Sequence, residues 1–180
     1  MEGLSLKEAA KEYVAHGLYV APLWPGSKEP IRGFAYDMPS KEPERVRYWW
    51  DRCEDANIAL PTGIAYNSLI VIDLDSDGKV NGSDTLHKFL LREGLTFPET
   101  ATAQSGGGGL HLYFKNDLHI KIESCKDIIP GIDILSEGAH VVAPPSVHPS
   151  GRAYKWQIGP ERLLPADDNV YTFLKLLGLC

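Results

Sequence analysis

Leu69-Ile70-Val71-Ile72-Asp73-Leu74-Asp75 is a β-branched, apolar run that ends in two carboxylates. Its composition predicts a buried strand, and a strand sends successive side chains to opposite faces. Ile70, Ile72 and Leu74 then share one face, while Asp73 and Asp75 emerge together on the other. At a rise of about 3.3 Å per residue their Cβ atoms stand roughly 6.5–7 Å apart. Carboxylates with that reach can converge on one Mg²⁺, or on two ions about 3.5–4 Å apart, as phosphate chemistry requires. A strand that simply finishes in polar turn residues would leave the same pattern, and the pattern alone leaves both readings open.

A second template overlaps the first. Asp73-x-Asp75-x-Asp77-Gly78, continued through Val80 to Asp84, follows the acidic spacing of an EF-hand calcium loop. That loop needs a helix entering it, and residues 68–72 carry no helical stripe. Ser83 or Asp84 is instead expected to cap a helix through Leu86, Phe89, Leu90 and Leu91. The strand-edge site is therefore preferred to the calcium loop.

The remaining elements alternate in a mixed α+β manner. Ser5 and Glu8 form a capping-box pattern that opens a helix closed by Gly17. A strand is expected over 18–23, a loop at 24–30, a helix over 43–53 and a short strand over 57–60. After a helix near 84–93, strands are expected at about 100–104, 110–115, 132–135, 139–143 and 153–157, with a last helix over 169–177. With 180 residues and 43% hydrophobic content, the chain suits one domain, with sub-lobes expected near 1–65 and 66–180. No apolar run approaches the length of a membrane span, and the N-terminus has no signal-peptide pattern. Cys53, Cys125 and Cys180 make no metal-binding pair, which suits a reducing cytoplasm. A formal charge of −6 disfavours indiscriminate nucleic-acid binding but permits a local basic groove.

Two further segments bear on chemistry. In Ser105-Gly106-Gly107-Gly108-Gly109-Leu110-His111 the glycines free the backbone to approach a ligand, and consecutive amides there can cradle an anion. The same run reads equally as a plain hairpin tip with His111 exposed beside it. No Gly-Lys-Ser/Thr follows, so it is not a Walker loop. In Gly131-Ile132-Asp133-Ile134-Leu135 one carboxylate interrupts an apolar strand, where it either caps a turn or joins a site. Pro144-Pro145-Ser146-Val147-His148 is a rigid extended turn that presents Ser146 and His148, and taken alone the segment reads as ordinary turn chemistry before it reads as a site.

The ordered set Lys28-Glu29-Pro30, Asn57 with Thr62-Gly63, Ile72-Asp73-Leu74-Asp75, Ser105 through His111, Gly131-Ile132-Asp133 and Pro144 through His148 resembles the prim-pol catalytic domain of the archaeo-eukaryotic primase superfamily. The resemblance spans about residues 10–157. It implies an N-terminal αβ lobe packed on an RRM-like, β-rich lobe that carries the acidic metal site. By that resemblance Asp73, Asp75 and Asp133 are the catalytic ligands of two Mg²⁺ or Mn²⁺ ions. His111 matches the histidine that meets the incoming nucleotide's phosphates, and Lys28, Ser105, Ser146 and His148 fall in nucleotide-binding segments.

The implied activity is template-directed nucleotidyl transfer by a DNA polymerase or primase, in a phage, plasmid or mobile-element replication protein. The implied partners are a single-stranded DNA template, a primer-template, dNTP or NTP, and a helicase or helical primase domain in a longer parent. The glycine loop is longer than the compact Ser-x-His of the superfamily. The family's following helical domain has no counterpart in these residues, so primer extension is expected over unaided initiation. Arg32, Lys115, Lys121, Lys126, Arg152 and Lys155 are candidates for a template groove, and Trp24, Trp49, Trp50 and Trp156 for base stacking or core. A metal-dependent nuclease and a catalytically silent nucleotide-binding module are the rival readings. A rolling-circle nickase needs a second histidine that His111-Leu112-Tyr113 lacks.

Overall fold

The computed structural model describes residues 3–31, 38–76, 78 and 80–180. The chain opens with α1 (Leu6–Ala15), whose N-cap Ser5 accepts from Glu8 N while the Glu8 carboxylate accepts from Ser5 N, closing the expected capping box. Then follow β1 (Ala21–Leu23), α2 (Pro43–Arg52) and β2 (Asn57–Pro61). Pro43 sits in the first turn of α2, where its missing N–H costs nothing. The strand expected over 18–23 is shorter than its sequence suggested, because Val20 bridges only to Ser40 before β1 begins.

The rest of the chain supplies β3 (Leu69–Leu74), α3 (Gly82–Glu93), β4 (Thr102–Gln104), β5 (Leu110–Lys115), β6 (Cys125–Ile129), β7 (Ile132–Leu135), β8 (His140–Ala143), β9 (Lys155–Ile158), β10 (Leu164–Pro165) and α4 (Asp168–Leu176). Two sheets result. The smaller runs β1-β2-β8, so β8, from beyond the boundary expected near residue 65, pairs with β2 from before it. The larger runs β6-β7-β3-β5-β4-β9, with β10 alongside β5.

β3 lies inside the larger sheet, antiparallel to β5 and to β7. Its alternation separates two cores. Ile70, Ile72 and Leu74 join Leu110, Leu112, Phe114, Ile132 and Ile134 under α3 and α4. An edge-to-face chain of rings, Phe89–Phe173–Phe97–Phe114, ties those helices to the sheet with centroids 5.1, 5.4 and 5.7 Å apart. Leu69, Val71 and Tyr113 face the other way and share a core with Tyr13, Trp49, Trp50 and Ile58 of the N-terminal half.

Three departures from the expected elements have plain causes. The helix near 84–93 is capped by Asn81, whose side chain accepts from Ser83 N and Asp84 N; Ser83 and Asp84 lie inside the first turn. A strand, β3, enters the acidic segment where an EF-hand needs a helix, which removes the calcium-loop reading; Asp77 lies outside the described residues. β6 escaped the period-two test because its register shifts at a bulge and Asp127 takes a left-handed φ of 48°.

Gly82 is where α3 meets the larger sheet. A Cβ there would stand 2.2 Å from Gly131 O and 3.0 Å from Asp75 N, both backbone atoms with no side chain to yield. Gly82→Ala is therefore expected to destabilise the fold by about 1–3 kcal/mol, read from urea melts. A midpoint equal to wild type would show that the junction moves apart freely.

Candidate functional site

Asp73 is the residue around which the site is built. Along β3 it stands directly opposite His111 on β5 and directly opposite Asp133 on β7. Paired residues across antiparallel strands project to the same face, so His111, Asp73 and Asp133 form one row. Asp75 follows two residues on and is exposed, held by backbone bonds from Asp75 N to Gly131 O (2.9 Å) and from Gly82 N to Asp75 O (2.8 Å). The row lies where this face of the sheet emerges from beneath the N-terminal core.

The electrostatics of the row are strained. Burial raises the Asp73 carboxyl from 3.8 to about 6; the Asp133 charge adds to the rise, and Lys28 and Lys126 oppose it. Asp75 is likewise pushed up, by desolvation, then by Asp73 and Asp133. His111, only 4% exposed, is driven down to about 4 by burial and then by the Lys28 charge. At neutral pH its imidazole is uncharged, with Nε2 3.4 Å from Asp73 Oδ1. Its Nδ1 is buried with no hydrogen-bond partner among the described residues.

Asp133 is oriented by its own hairpin. Its Oδ1 accepts from Asp127 N at 2.7 Å, and Asp127 Oδ1 accepts in turn from Gly131 N at 3.1 Å. Among the described residues no three His, Cys, Asp or Glu side chains are already closed to the spacing that holds a metal ion. The expected compact cluster is an open row. Its donor set nevertheless fits a hard divalent cation: three carboxylates, with Asp73 raised by burial and by the Asp133 charge, and Asp75 by burial and by the charges of Asp73 and Asp133. Neutralising that repulsion is what such an ion does.

Two loops border the row. The hairpin tip at 105–109 joins β4 to β5; Ser105 N donates to Gly109 O (2.9 Å), and Ser105 Oγ accepts from Gly109 N (3.1 Å). It is nonetheless no free tip. A Cβ on Gly106 would come within 2.3 Å of His148 Cβ, and one on Gly109 within 2.4 Å of Leu74 O. The glycines let the hairpin lie against β3 and against the 146–152 loop. In that loop His148 Nδ1 accepts from Ser150 N (3.1 Å), which leaves Nε2 as the donor on the Gly107 side.

The expected site residues therefore divide. Asp73, Asp75, Asp133 and His111 come together, and the Lys28 charge acts on Asp73, Asp75, His111 and His148 alike. Ser146 does not face the row: it is fully buried and its Oγ accepts from Ile58 N at 2.8 Å, so its expected nucleotide contact gives way to a scaffold role. Ser105 Oγ accepts from Gly109 N within the hairpin. Among the groove candidates, Lys121 is tied to Glu123, Lys115 lies at the far end of β5, and Arg32 is outside the described residues.

Sequence reasoning passed over His140 and Tyr154, and it placed Lys126 only in a template groove, whereas the Lys126 charge acts on Asp73. His140 Nε2 meets Lys28 O at 3.2 Å, so it steadies the lysine's loop. Tyr154 is buried between His148 and His111, with ring centroids 5.8 and 5.7 Å away. No motif of the sequence singled it out.

The family model for Prim-Pol, described as bifunctional DNA primase/polymerase, N-terminal, matches residues 10–168. No curated protein matches the chain.

The raised Asp73 pKa gives a stability test. Its folded value of about 6 lies above the unfolded 3.8, so the charged carboxylate penalises the native state fully above pH 6. That penalty fades as pH falls toward the unfolded value. In buffer free of divalent ions, Asp73→Asn should therefore stabilise the fold at neutral pH, by up to about 3 kcal/mol, and lose the advantage near pH 4. Denaturant melts of both proteins across that window check it. A variant less stable than wild type at neutral pH would mean the carboxylate is held by bonds that outweigh its burial.

Proposed function

Since the chain belongs to the family of bifunctional DNA primase/polymerase N-terminal domains, we propose that the row of Asp73, Asp75, Asp133 and His111 is its nucleotidyl-transfer site. The substrates are a deoxynucleoside or ribonucleoside triphosphate and a primer 3′-hydroxyl on a DNA template. One observation carries this reading: the register that sets Asp73 against both Asp133 and His111. Such an arrangement places like charges side by side at a cost, and among the described residues no lysine or arginine forms an ion pair with them.

Asp73, Asp75 and Asp133 would hold Mg²⁺ or Mn²⁺, which supplies the acidity at the attacking hydroxyl and the charge that offsets the triphosphate oxygens. The protein's own groups do the positioning. Asp133, fixed by the Asp127 amide, and Asp75, fixed between Gly131 and Gly82, keep their carboxylates from swinging away. His111, neutral at working pH, donates a hydrogen bond to a phosphate oxygen without repelling the cationic Lys28. Lys28 and His148 Nε2 approach the same phosphates from the flanking loops, and negative charge that builds on the leaving group is met by these preorganised donors. The larger sheet is thus the lobe that carries catalysis, and the N-terminal half braces it.

Incubation with a labelled primer-template, divalent ion and dNTPs tests the proposal. Asp73→Asn or Asp75→Asn should abolish extension while circular dichroism stays native. Near-normal extension by either would overturn the assignment, and shortening of the primer in place of growth would favour a nuclease. His111→Ala should slow incorporation by about one to two orders of magnitude, the worth of one charge-assisted hydrogen bond of roughly 1.5–3 kcal/mol. Unchanged triphosphate affinity and unchanged turnover in that variant would detach the histidine from the nucleotide.

A further inference from the structure

Of the four tryptophans, Trp49 and Trp50 are 2% and 0% exposed, and Trp156 is half-buried with its indole N–H given to Tyr13 Oη at 3.1 Å. Trp24 is 50% exposed. Among the described residues its ring has no aromatic or cationic partner. A single exposed apolar side chain is ordinary on a protein surface; what marks this ring is the constraint on its loop and the charge that loop carries.

Its loop is held firmly. Trp24 N donates to Glu29 O (2.9 Å), Ser27 N to Trp24 O (3.0 Å), and Leu23 bridges to Pro30. Beneath it, the fully buried Asn57 donates from Nδ2 to Ser27 O (2.9 Å) and to Val147 O (2.7 Å) and accepts from Val147 N (2.8 Å). One side chain thereby clamps the Trp24 loop to the loop that carries His148 and Arg152. An aromatic ring on so constrained a loop loses little freedom when something stacks on it.

Charge identifies what stacks. Lys28, four residues on, is exposed and acts on the acidic row, and Arg152, exposed across the Asn57 clamp, acts on His148. Neither forms an ion pair among the described residues. Uncommitted cations track phosphates, while a flat aromatic receives a base of any sequence because every base has a π-face. We infer that Trp24 is a stacking platform for an unpaired base of a single-stranded nucleic acid, with Arg152 on the adjoining phosphate. The inference rests on reading the acidic row as the nucleotidyl-transfer site and names where its template strand lies.

The test is the affinity of the full chain for a fluorescein-labelled oligodeoxythymidylate, with no nucleotide triphosphate present. Trp24→Ala should weaken binding by roughly tenfold, and Trp24→Phe should restore most of it. Wild-type tryptophan emission should be quenched on binding, and Trp24→Phe should lose the quench. Oligonucleotide affinity unchanged in Trp24→Ala, or a quench that survives in Trp24→Phe, overturns the inference. So does self-association of the protein that Trp24→Ala abolishes without altering oligonucleotide affinity, since the ring then serves a second copy of this chain. Because no turnover is read, an Asp73→Asn protein that still extends primers defeats the catalytic reading alone. A Trp24→Ala protein that binds normally defeats this inference alone.

Discussion

The pairing of β3 with β5 on one side and β7 on the other governs everything else in the molecule. A single register sets Asp73 beside His111 and Asp133, and because the side-chain period is two, the same register delivers Ile70, Ile72 and Leu74 to the opposite core. Slipping β3 by one residue would turn Asp73 and Asp75 toward the core under α3 and α4 and send Ile70, Ile72 and Leu74 to the opposite face. The hydrophobic face therefore enforces the polar row. The energy that locks the register comes from apolar burial, and the acidic cluster, which opposes its own formation, is carried along.

That opposition has been distributed unevenly. Asp73 lies deepest and carries the largest resolved rise among the acids; Asp75 remains exposed to water. His111 is buried enough to be held neutral, so it adds no cation beside Lys28. A site arranged in this way is costly while empty of counter-charge and relieved when a cation or a cationic side chain approaches, a common trade between stability and function.

Backbone constraints, not side-chain packing, hold the surrounding loops in place. Gly82, Gly106, Gly109 and Gly131 each occupy a point where a Cβ would meet another atom at under 3 Å. They let α3, the β4–β5 hairpin and the β6–β7 hairpin crowd the end of β3. Asn57 and Ser146 do the complementary task with hydrogen bonds, joining the small sheet to the loops that carry Lys28 and His148. Both side chains are fully buried and their polar atoms bond to backbone nearby, as a buried polar group must.

Alternation along single strands was legible without a structure. The opposite faces of β3, the division of Leu110, Leu112 and Phe114 from His111 and Tyr113, and the capping box at Ser5 all depend on neighbours within a few residues. The order of the motifs was legible too, and the family match spans almost the same stretch. What local pattern does not carry is the register between strands far apart in the chain. That is why β8 could be expected as a strand but not as the partner of β2, and why Ser146 could be expected near the site but not with its hydroxyl under Ile58. The strained Asp127 hid β6 from a period-two reading for a related reason: a bulge makes sense only against its partner strand. Sequence by itself determined which side chains share a face, because that follows from covalent geometry. Only the tertiary structure decided which faces meet, because that follows from burial summed over the whole chain.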